Sequence, residues 1–273
     1  MLPNRFKVIR PYLASYVQPN KARPRFGEVL HYLIKPGKES RASRYIERVD
    51  EMGDYRAISF KGFNRPFYYP RDCSWTDFCS TIDECFNPTN WHHYTTEHTP
   101  FSVNDVVVDC GAAEGLFSFV GERKASRVFA FEPLPKFVTA LNKNFEHSSK
   151  VVFYPFALGH KEQRARLTNN EIFSTISSKG PIEIEIKTLD STLLSLSEPV
   201  TFIKADVEGF EFQVLLGAEG LIKRYRPKIA LTVYHRQNNI CQIKDFLTQL
   251  QPDYRFDTKG ISENGGPVML HAW

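Results

Sequence analysis

One short stretch, VVVDCGAAEG at residues 106–115, constrains the fold of this chain more than any other. Its apolar, β-branched run is typical of a strand buried on both faces of a parallel sheet. Gly111 and Gly115 allow a sharp turn beside a ligand, and LFSFV at 116–120 then begins a helix. The pattern predicts a nucleotide-binding strand–turn–helix unit. It has neither the G-x-G-x-x-G spacing of a dinucleotide fingerprint nor the Gly-Lys-Ser/Thr ending of a P-loop.

An acid, Asp109, precedes the first glycine of this turn by two positions. A carboxylate at a strand tip suits an anionic pyrophosphate poorly, but it suits a cationic ligand such as the amino group of S-adenosylmethionine. The alternative is an ordinary turn aspartate. We favour a ligand role, because Asp109 lies within the apolar strand pattern and needs a partner if it is buried.

A second acid, Glu132, ends the apolar stretch at 127–132. In a strand–helix–strand unit, the acid at the second strand tip lies beside the first turn, where it can accept hydrogen bonds from ribose hydroxyls. The alternative is a helix cap, but glutamate caps weakly and Pro133 already supplies a helix start. We therefore expect an S-adenosylmethionine site around Asp109, Gly111 and Glu132. The full expected set also contains the neighbouring residues Ala113, Glu114, Gly115 and Pro133, and Ala157 of the FALG motif that enters with the family resemblance below.

The length of 273 residues suits one catalytic domain, expected at 101–273, and an N-terminal extension at 1–100. No window approaches the apolar run that a membrane-spanning helix needs. The first residues lack the apolar core and the cleavage site of a signal peptide, so a cytoplasmic location is expected. The five cysteines are odd in number and form no C-x-x-C pair, which argues against a disulfide framework or a zinc site.

The N-terminal extension is rich in Pro, Tyr and Arg, and its pattern predicts an irregular α+β structure. A hairpin is expected at 55–60 and 65–70, and a helix at 75–86. Residues 1–50 hold eleven Lys/Arg against four Asp/Glu. This basic region could contact a phosphate-bearing acceptor, an anionic membrane surface or only solvent, whereas nucleic acid is not expected because stacking aromatics are not interleaved with the cations. We expect the extension to cover the acceptor side of the site, since aromatic faces pack on sugar rings.

From residue 105 onward, predicted strands alternate with predicted helices, which indicates a parallel sheet with helices on both faces. The expected strands are 105–109, 127–132, 151–156, 201–206 and 228–235, and the expected helices are 134–145, 211–224 and 239–250. Strict alternation at 182–187 predicts an antiparallel insertion with 165–167, followed by a short helix from Thr188. A last antiparallel pair is expected at 254–256 and 267–272.

Together these motifs resemble the FkbM family of S-adenosylmethionine-dependent methyltransferases. The resemblance covers roughly residues 90–273 and rests on VVVDCGAAEGLFSF, VFAFEPLP, FALG, IKTLDSTLL, IKADVEGFEFQVLLGAE and LTVYH, of which IKADVEGFE at 203–211 is the most specific. It implies an α/β class I methyltransferase fold, with a Rossmann-like seven-stranded sheet, and O-methylation. Ala113 stands where many class I enzymes carry glycine. Similarity to members found with polysaccharide assembly implies an acceptor hydroxyl on a sugar, or on a polysaccharide or glycolipid precursor.

The catalytic groups of such a fold are expected where neighbouring parallel strands end. Asp206 and His235 are the polar residues at the predicted ends of the fourth and fifth strands. A sugar hydroxyl needs a base, and His235 could serve near neutral pH while Asp206 orients the hydroxyl or acts as the base itself. Glu208 extends this cluster as a third catalytic candidate, whereas Glu211 is expected to complement a helix dipole.

Other roles are open for these acids and His235, and two further histidines are candidates for the acceptor pocket. Asp206, Glu208 and His235 could hold a divalent metal that lowers the pKa of an acceptor alcohol, although their spacing does not establish one. His92 and His93 could line the acceptor pocket, but lone histidines in an aromatic segment are more often structural.

The sequence leaves two rival functions open. The first is an NAD-dependent sugar oxidoreductase or epimerase, which the absent glycine spacing and the absent Tyr-x-x-x-Lys pair disfavour. The second is a non-catalytic module that keeps the cofactor fold within a polysaccharide-assembly complex, which the retained acids disfavour.

Overall fold

A computed structural model describes residues 4–17, 22–167, 176–177, 180–196, 198–235 and 240–273 of the chain. Lys21 of the basic region and residue 239, the expected start of the last helix, lie outside these ranges. Within them, none of the helices combines the length and the hydropathy needed to cross a bilayer.

The N-terminal region begins with helices and continues with a small sheet. Its elements are a 3₁₀ helix at Asn4–Val8, α1 at Ile9–Ser15, α2 at Phe26–Ile34, α3 at Lys38–Ala42, β1 at Ile46–Met52, β2 at Tyr55–Phe60, β3 at Phe67–Pro70 and α4 at Trp75–Phe86. The three strands pair antiparallel in the order β1-β2-β3. The predicted α+β structure, the predicted hairpin and the predicted helix at 75–86 are confirmed, and α1, α2, α3 and β1 are further elements of this region.

The remainder of the chain contains the central sheet and its helices. The elements are β4 at Val106–Cys110, α5 at Leu116–Gly121, β5 at Arg127–Phe131, α6 at Pro135–Phe145, β6 at Val151–Tyr154, β7 at Ala157–Leu158, β8 at Gln163–Leu167, β9 at Ile176–Ser177, β10 at Ile182–Lys187, α7 at Leu189–Leu193, β11 at Phe202–Ala205, α8 at Glu211–Leu216, α9 at Glu219–Tyr225, β12 at Lys228–Thr232, α10 at Ile240–Leu250, β13 at Phe256–Lys259 and β14 at Met269–Ala272.

The central sheet has seven strands in the order β13-β14-β12-β11-β4-β5-β6. Strands β6, β5, β4, β11 and β12 are parallel neighbours, and β14 is antiparallel to both β12 and β13. Alternate β4 valines enter two different hydrophobic clusters, one with α7 to α10 and one with α5 and α6. The predicted α/β fold with a seven-stranded sheet covered on both faces is therefore confirmed, as is the antiparallel insertion, in which β8 pairs with β10.

Several predicted boundaries shift by one to three residues, and two of the differences bear on the arrangement of the site. Strand β12 ends at Thr232, so His235 lies in the segment that follows the strand. The helix expected at 211–224 is two helices, because the Asp190 carboxylate accepts a hydrogen bond from the Gly220 N–H (2.7 Å) and another from the next N–H (2.9 Å). These bonds satisfy free donors at the start of α9 and make it a separate helix.

The N-terminal sheet and α4 pack on the same face of the central sheet as α5 and α6. One buried cluster contains Phe60, Phe67 and Phe78 from the N-terminal region together with Leu116 and Phe119 from α5. The rings of Phe67 and Phe119 meet edge to face, with centroids 5.2 Å apart. Such aromatic contacts bury large apolar areas. The shared core places α4 beside the carboxyl ends of the central strands.

One buried ion pair joins the two central strands near these ends. Lys204 on β11 and Asp109 on β4 are paired residues in the parallel ladder, and Lys204 Nζ lies 2.9 Å from Asp109 Oδ1. The same ammonium donates to the Gly111 carbonyl (2.7 Å), and Ser118 Oγ donates to Asp109 Oδ2 (2.7 Å). Asp109 is 0% exposed and Lys204 is 3% exposed. Each charge is therefore balanced by its partner instead of by water.

Replacing Lys204 by Met should destabilise the protein strongly, because it leaves the Asp109 carboxylate buried without a countercharge. We expect Lys204→Met to lower the free energy of unfolding by about 3–5 kcal/mol in urea titrations. The double variant Lys204→Met/Asp109→Leu removes both charges and should recover more than half of that loss. Lys223→Met, which breaks an exposed pair with Glu219, is the control and should cost about 1 kcal/mol or less. Equal losses in Lys204→Met and the control would contradict this account.

Candidate active site

A cavity of about 460 Å³ lies at the carboxyl ends of the central strands. Its walls come from the turns that follow β4, β5 and β11, from the segment after β12, and from α4 of the N-terminal region. This is the size of a pocket for a small organic ligand. It is also the place where open parallel sheets bind their ligands, since loops from neighbouring strands meet there.

The turn after β4 forms the floor of the cavity and needs its glycine. Gly111 has φ of +75°, and a Cβ there would lie 2.1 Å from the Asp206 carbonyl oxygen. Any larger residue would therefore force β4 and β11 apart. Ala113 also has a positive φ, +47°, and its N–H donates to Glu132 Oε2 (2.9 Å). That hydrogen bond holds the turn in a conformation that a non-glycine residue adopts only at a cost.

Glu132 lies at the tip of β5, on the cavity wall and next to this turn. Its two carboxylate oxygens accept hydrogen bonds from the N–H groups of Ala113 and Leu134, both at 2.9 Å. Burial raises the pKa of the Glu132 carboxyl to about 7, although these two hydrogen bonds act in the opposite direction. Pro133 and Ala157 lie on the same part of the wall.

Glu114 contributes a second buried carboxyl to the cavity. It is 1% exposed, and neither of its carboxyl oxygens has a hydrogen-bond partner among the described residues. Burial raises the pKa of Glu114 to about 8, so the side chain carries a proton at neutral pH. A buried polar group without a partner is costly, which makes Glu114 a candidate to contact a ligand.

Asp109 lies behind the cavity wall, not on it. Its carboxylate accepts a hydrogen bond from Ser118 and pairs with the Lys204 ammonium, so the expected contact with a ligand amino group stays a prediction for a residue that does not line the cavity. Lys204 itself reaches the cavity. Burial alone would lower the pKa of Lys204, but Asp109 and Asp206 together raise it, and the side chain is a fixed cation. The sequence signal for this buried cation is a lysine inside the apolar strand FIKA, because a buried lysine must have a partner.

Asp206 lies on the cavity wall just after β11. Tyr94 donates its hydroxyl to Asp206 Oδ2 (2.8 Å), and Thr232 donates to Oδ1 (3.1 Å). Burial alone would raise the pKa of Asp206, but His92, Lys204 and the Tyr94 hydroxyl outweigh it and lower the pKa. Asp206 is therefore an anion held in a defined orientation.

His235 lies between Glu208 and Glu211, and unlike Glu208 it does not line the cavity. Its Nε2 is 3.3 Å from Glu208 Oε2, and its Nδ1 is 3.2 Å from Glu211 Oε1. Burial alone would lower the pKa of His235, but the two carboxylates raise it to about 10. His235 is thus an imidazolium at neutral pH, already protonated, which argues against the expected role as the base. Glu208, with φ of +54°, lines the cavity, whereas Glu211 is fully buried.

The metal hypothesis concerns the same group of residues. Candidate ligand atoms of Asp206, Glu211 and His235 lie within 4.8 Å of one another, so Glu211 replaces Glu208 in the set expected from the sequence. Glu211 Oε1 also accepts hydrogen bonds from the Val207 N–H (3.0 Å) and the Thr232 hydroxyl (2.9 Å). A metal would need His235 in its neutral form.

The two upstream histidines occupy different environments. His92 lines the cavity, with Nδ1 3.4 Å from Glu84 Oε2, and its pKa is raised because Glu84 outweighs burial. His93 is bonded to the Glu84 carbonyl (2.6 Å) and to Thr95, and burial lowers its pKa to about 4. His93 fits the structural interpretation, whereas His92 is part of the cavity.

Helix α4 presents a polar row to the cavity. Asp77, Ser80, Thr81 and Glu84 all line it, at the spacing that places residues on one face of a helix. The opposite face of α4 is apolar and buried. A buried ion pair between Arg41 and Asp83 (2.7 Å) fixes α3 to α4 and brings Lys38 to the cavity rim.

The structure thus brings most of the expected site residues to one cavity. Those that line it are Gly111, Ala113, Glu114, Glu132, Pro133, Ala157, Asp206 and Glu208; those that lie behind its wall are Asp109, Gly115 and His235. Sequence reasoning missed Lys204, Tyr94 and the polar row of α4.

The imidazolium of His235 has a consequence for stability at different pH. The pKa of His235 is raised from 6.5 to about 10 in the folded protein. Its contribution to stability is therefore complete below about pH 6.5 and is lost as the pH rises toward 10. The difference in unfolding free energy between the wild type and His235→Gln should shrink over that range in urea titrations. His147→Gln, at an exposed histidine, should change stability little at any pH. A His235→Gln difference that does not vary with pH would contradict the assignment.

Comparison with known proteins identifies the family. The model of the methyltransferase FkbM domain matches residues 109–257, more than half of the chain. A solved structure of methyltransferase FkbM from Methylobacillus flagellatus KT is similar, with 22% identity and a TM-score of 0.51. The match covers 64% of this chain and 44% of that one, so the chain spans less than half of that protein. An rRNA methylase from Streptococcus thermophilus matches with 12% identity, a TM-score of 0.41 and coverage of 63% and 87%. A search of curated proteins finds no match. The chain belongs to the FkbM methyltransferase family.

Proposed function

We propose that this protein is an S-adenosylmethionine-dependent O-methyltransferase that acts on a hydroxyl of a sugar, or of a polysaccharide or glycolipid precursor. The observation that carries the proposal is a single cavity lined by two different sets of groups. We assign the β4 turn and the Glu132 carboxyl to a cofactor end. We assign the Asp206 anion and the polar row of α4 to an acceptor end.

The cofactor end fits S-adenosylmethionine in shape and in charge. A Cβ at Gly111 would meet the Asp206 carbonyl oxygen, so the glycine lets the β4 turn lie close against the end of β11 where both line the cavity. Glu132 is placed to accept hydrogen bonds from ribose hydroxyls, and Ala113, Pro133 and Ala157 would form the surrounding wall. The Glu114 carboxyl is available for a further polar contact. Asp109 would act indirectly, by holding Lys204 in place.

The acceptor end favours a ligand with several hydroxyl groups. Carboxylates and hydroxyls on α4, at Asp77, Ser80, Thr81 and Glu84, can accept and donate hydrogen bonds along about two turns of helix. Because α4 belongs to residues 1–100, this row supports the proposal that the N-terminal extension covers the acceptor side of the cavity.

The charges of this end argue against a phosphate-bearing acceptor, one of the contacts left open for the basic region. Among the described Lys and Arg residues of the first fifty, only Lys38 lines the cavity, and its ammonium lies 3.7 Å from Asp77. Other cations of this region form contacts away from the cavity, such as Arg41, which forms a buried ion pair with Asp83. We therefore propose an acceptor whose recognised part is neutral.

The chemistry assigned to the chain is orientation of the acceptor and removal of its proton. When bound, S-adenosylmethionine supplies a methyl group that is already activated for displacement. Asp206 accepts a hydrogen bond from the acceptor hydroxyl and takes its proton as the oxygen becomes acidic during transfer, so a base of low pKa suffices. Tyr94 and Thr232 fix the Asp206 carboxylate, and His235 holds Glu208 beside it.

Two variants should separate the ends of the cavity. Glu132→Ala removes two charge-assisted hydrogen bonds to ribose and should weaken the binding of S-adenosylhomocysteine, measured by calorimetry, by about 2–4 kcal/mol. Asp206→Asn keeps size and most hydrogen bonding, so it should leave this affinity within a few-fold and lower turnover by about a hundredfold. Turnover is measured with radiolabelled S-adenosylmethionine and a panel of sugars, sugar nucleotides and glycolipids.

Three results would overturn parts of this proposal. Unchanged affinity in Glu132→Ala would rule out the ribose assignment, and full turnover in Asp206→Asn would remove Asp206 from proton transfer. Tighter binding of NAD than of S-adenosylhomocysteine would favour the oxidoreductase. EDTA should leave turnover intact; loss that magnesium restores would make Asp206 a metal ligand instead of a base.

A further inference from the structure

The exposed apolar residues of this protein are concentrated in one short part of the chain. In the part that the structure describes, ten large hydrophobic residues are exposed, and seven of them lie between residues 9 and 34. Phe26 and Ile34 are 68% and 70% exposed. Scattered exposed hydrophobics are ordinary, but a concentration of them indicates an interaction surface.

These residues follow helical spacing on the outer faces of two helices. Ile9, Leu13 and Tyr16 are four and three positions apart on α1 and the turn after it, and α2 carries a matching row that consists of Phe26, Leu30 and Ile34. We call these two rows the outer apolar face.

The inner faces of the same helices are already packed. Val8 and Tyr12 from the first helical segment join Val29 of α2 in a buried cluster with Trp91 and Ile261. The ring of Tyr32 stacks on Trp91 at 4.1 Å. The outer apolar face is therefore an addition to a completed core, not part of it.

The charge around the outer apolar face is strongly positive. Residues 5–35 contain seven Lys/Arg and a single acid, Glu28. Lys7, Arg10 and Arg25 are exposed beside the apolar rows. Glu263 faces this region from a distant segment and lies 3.5 Å from Lys7. The face therefore combines apolar side chains with an excess of cations.

We propose that α1 and α2 dock on an anionic lipid bilayer, with the outer apolar face in the boundary between headgroups and acyl chains. Amphipathic helices bind this boundary when aromatic and aliphatic residues on one side are flanked by Lys and Arg. A protein interface is the poorer occupant, because the cores of such interfaces are depleted of charge. Anionic lipid satisfies both the apolar rows and the exposed cations beside them, Lys7, Arg10 and Arg25.

Docking in this way would place the membrane close to the cavity. Three residues separate Ile34, the end of the apolar row on α2, from Lys38 at the cavity rim. Four Cα–Cα steps span about 15 Å at most. A lipid-linked acceptor would then be within reach of the site while still in the bilayer; this step, unlike the docking itself, rests on the proposed function.

Vesicle co-sedimentation of the full chain tests the proposal. The protein should bind vesicles that contain phosphatidylglycerol, bind phosphatidylcholine vesicles weakly, and lose binding as salt increases. Leu13→Glu/Phe26→Glu should weaken binding about tenfold or more, and Arg10→Gln/Arg25→Gln about fivefold for each charge. Val103→Glu is the matched control, since Val103 is 77% exposed but lies elsewhere in the chain, and should bind like the wild type.

Two outcomes would overturn the proposal. The first is no binding of the wild type to phosphatidylglycerol vesicles. The second is a dimer in solution, seen by light scattering, that Leu13→Glu/Phe26→Glu converts to a monomer, because the face would then join two copies of the chain. Circular dichroism checks that each variant folds. Binding of S-adenosylhomocysteine is measured in parallel, so a failure of the proposed function is distinguished from a failure of docking.

Discussion

The arrangement of the cavity depends on one buried cation, the Lys204 ammonium. It joins β11 to β4 through Asp109 and holds the β4 turn through the Gly111 carbonyl. It also contributes to the low pKa of Asp206 on the cavity wall. A charge that is buried must be balanced by fixed partners, so the sheet, the turn and the Asp206 carboxylate are tied to the same group. An ionised acid is thereby held on the cavity wall.

The two ends of the cavity differ in their proton states although both contain carboxyl groups. Glu132 and Glu114 have few countercharges nearby, and burial raises their pKa values to about 7 and 8. Asp206 is buried as well, but the charges and the hydroxyl around it lower its pKa. Separation of pKa values by environment is how neighbouring acids acquire different roles. Here it supports the proposal that Glu132 and Glu114 bind a ligand and that Asp206 takes a proton.

Much of the fold follows from local patterns in the sequence. The valine run of β4 and the Glu132-Pro133 end of β5 predict both strands and their turns, because burial and backbone geometry restrict the residues at such positions. The partners that a buried side chain contacts do not follow from such local patterns. Asp109 faces Lys204, which lies 95 residues later in the chain, and the sequence of either strand alone does not indicate that pairing. The proton on His235 likewise depends on Glu208 and Glu211, whose positions around the ring do not follow from the local sequence pattern.

A crystal structure of the protein with S-adenosylhomocysteine is the most direct test of the central claim, that one cavity joins a ribose-binding end to an acceptor end. The account predicts that the ribose hydroxyls donate hydrogen bonds to the Glu132 carboxylate and that the sulfur faces Asp206 and the polar row of α4. A ribose bound away from Glu132, or a sulfur that points away from Asp206, would contradict it.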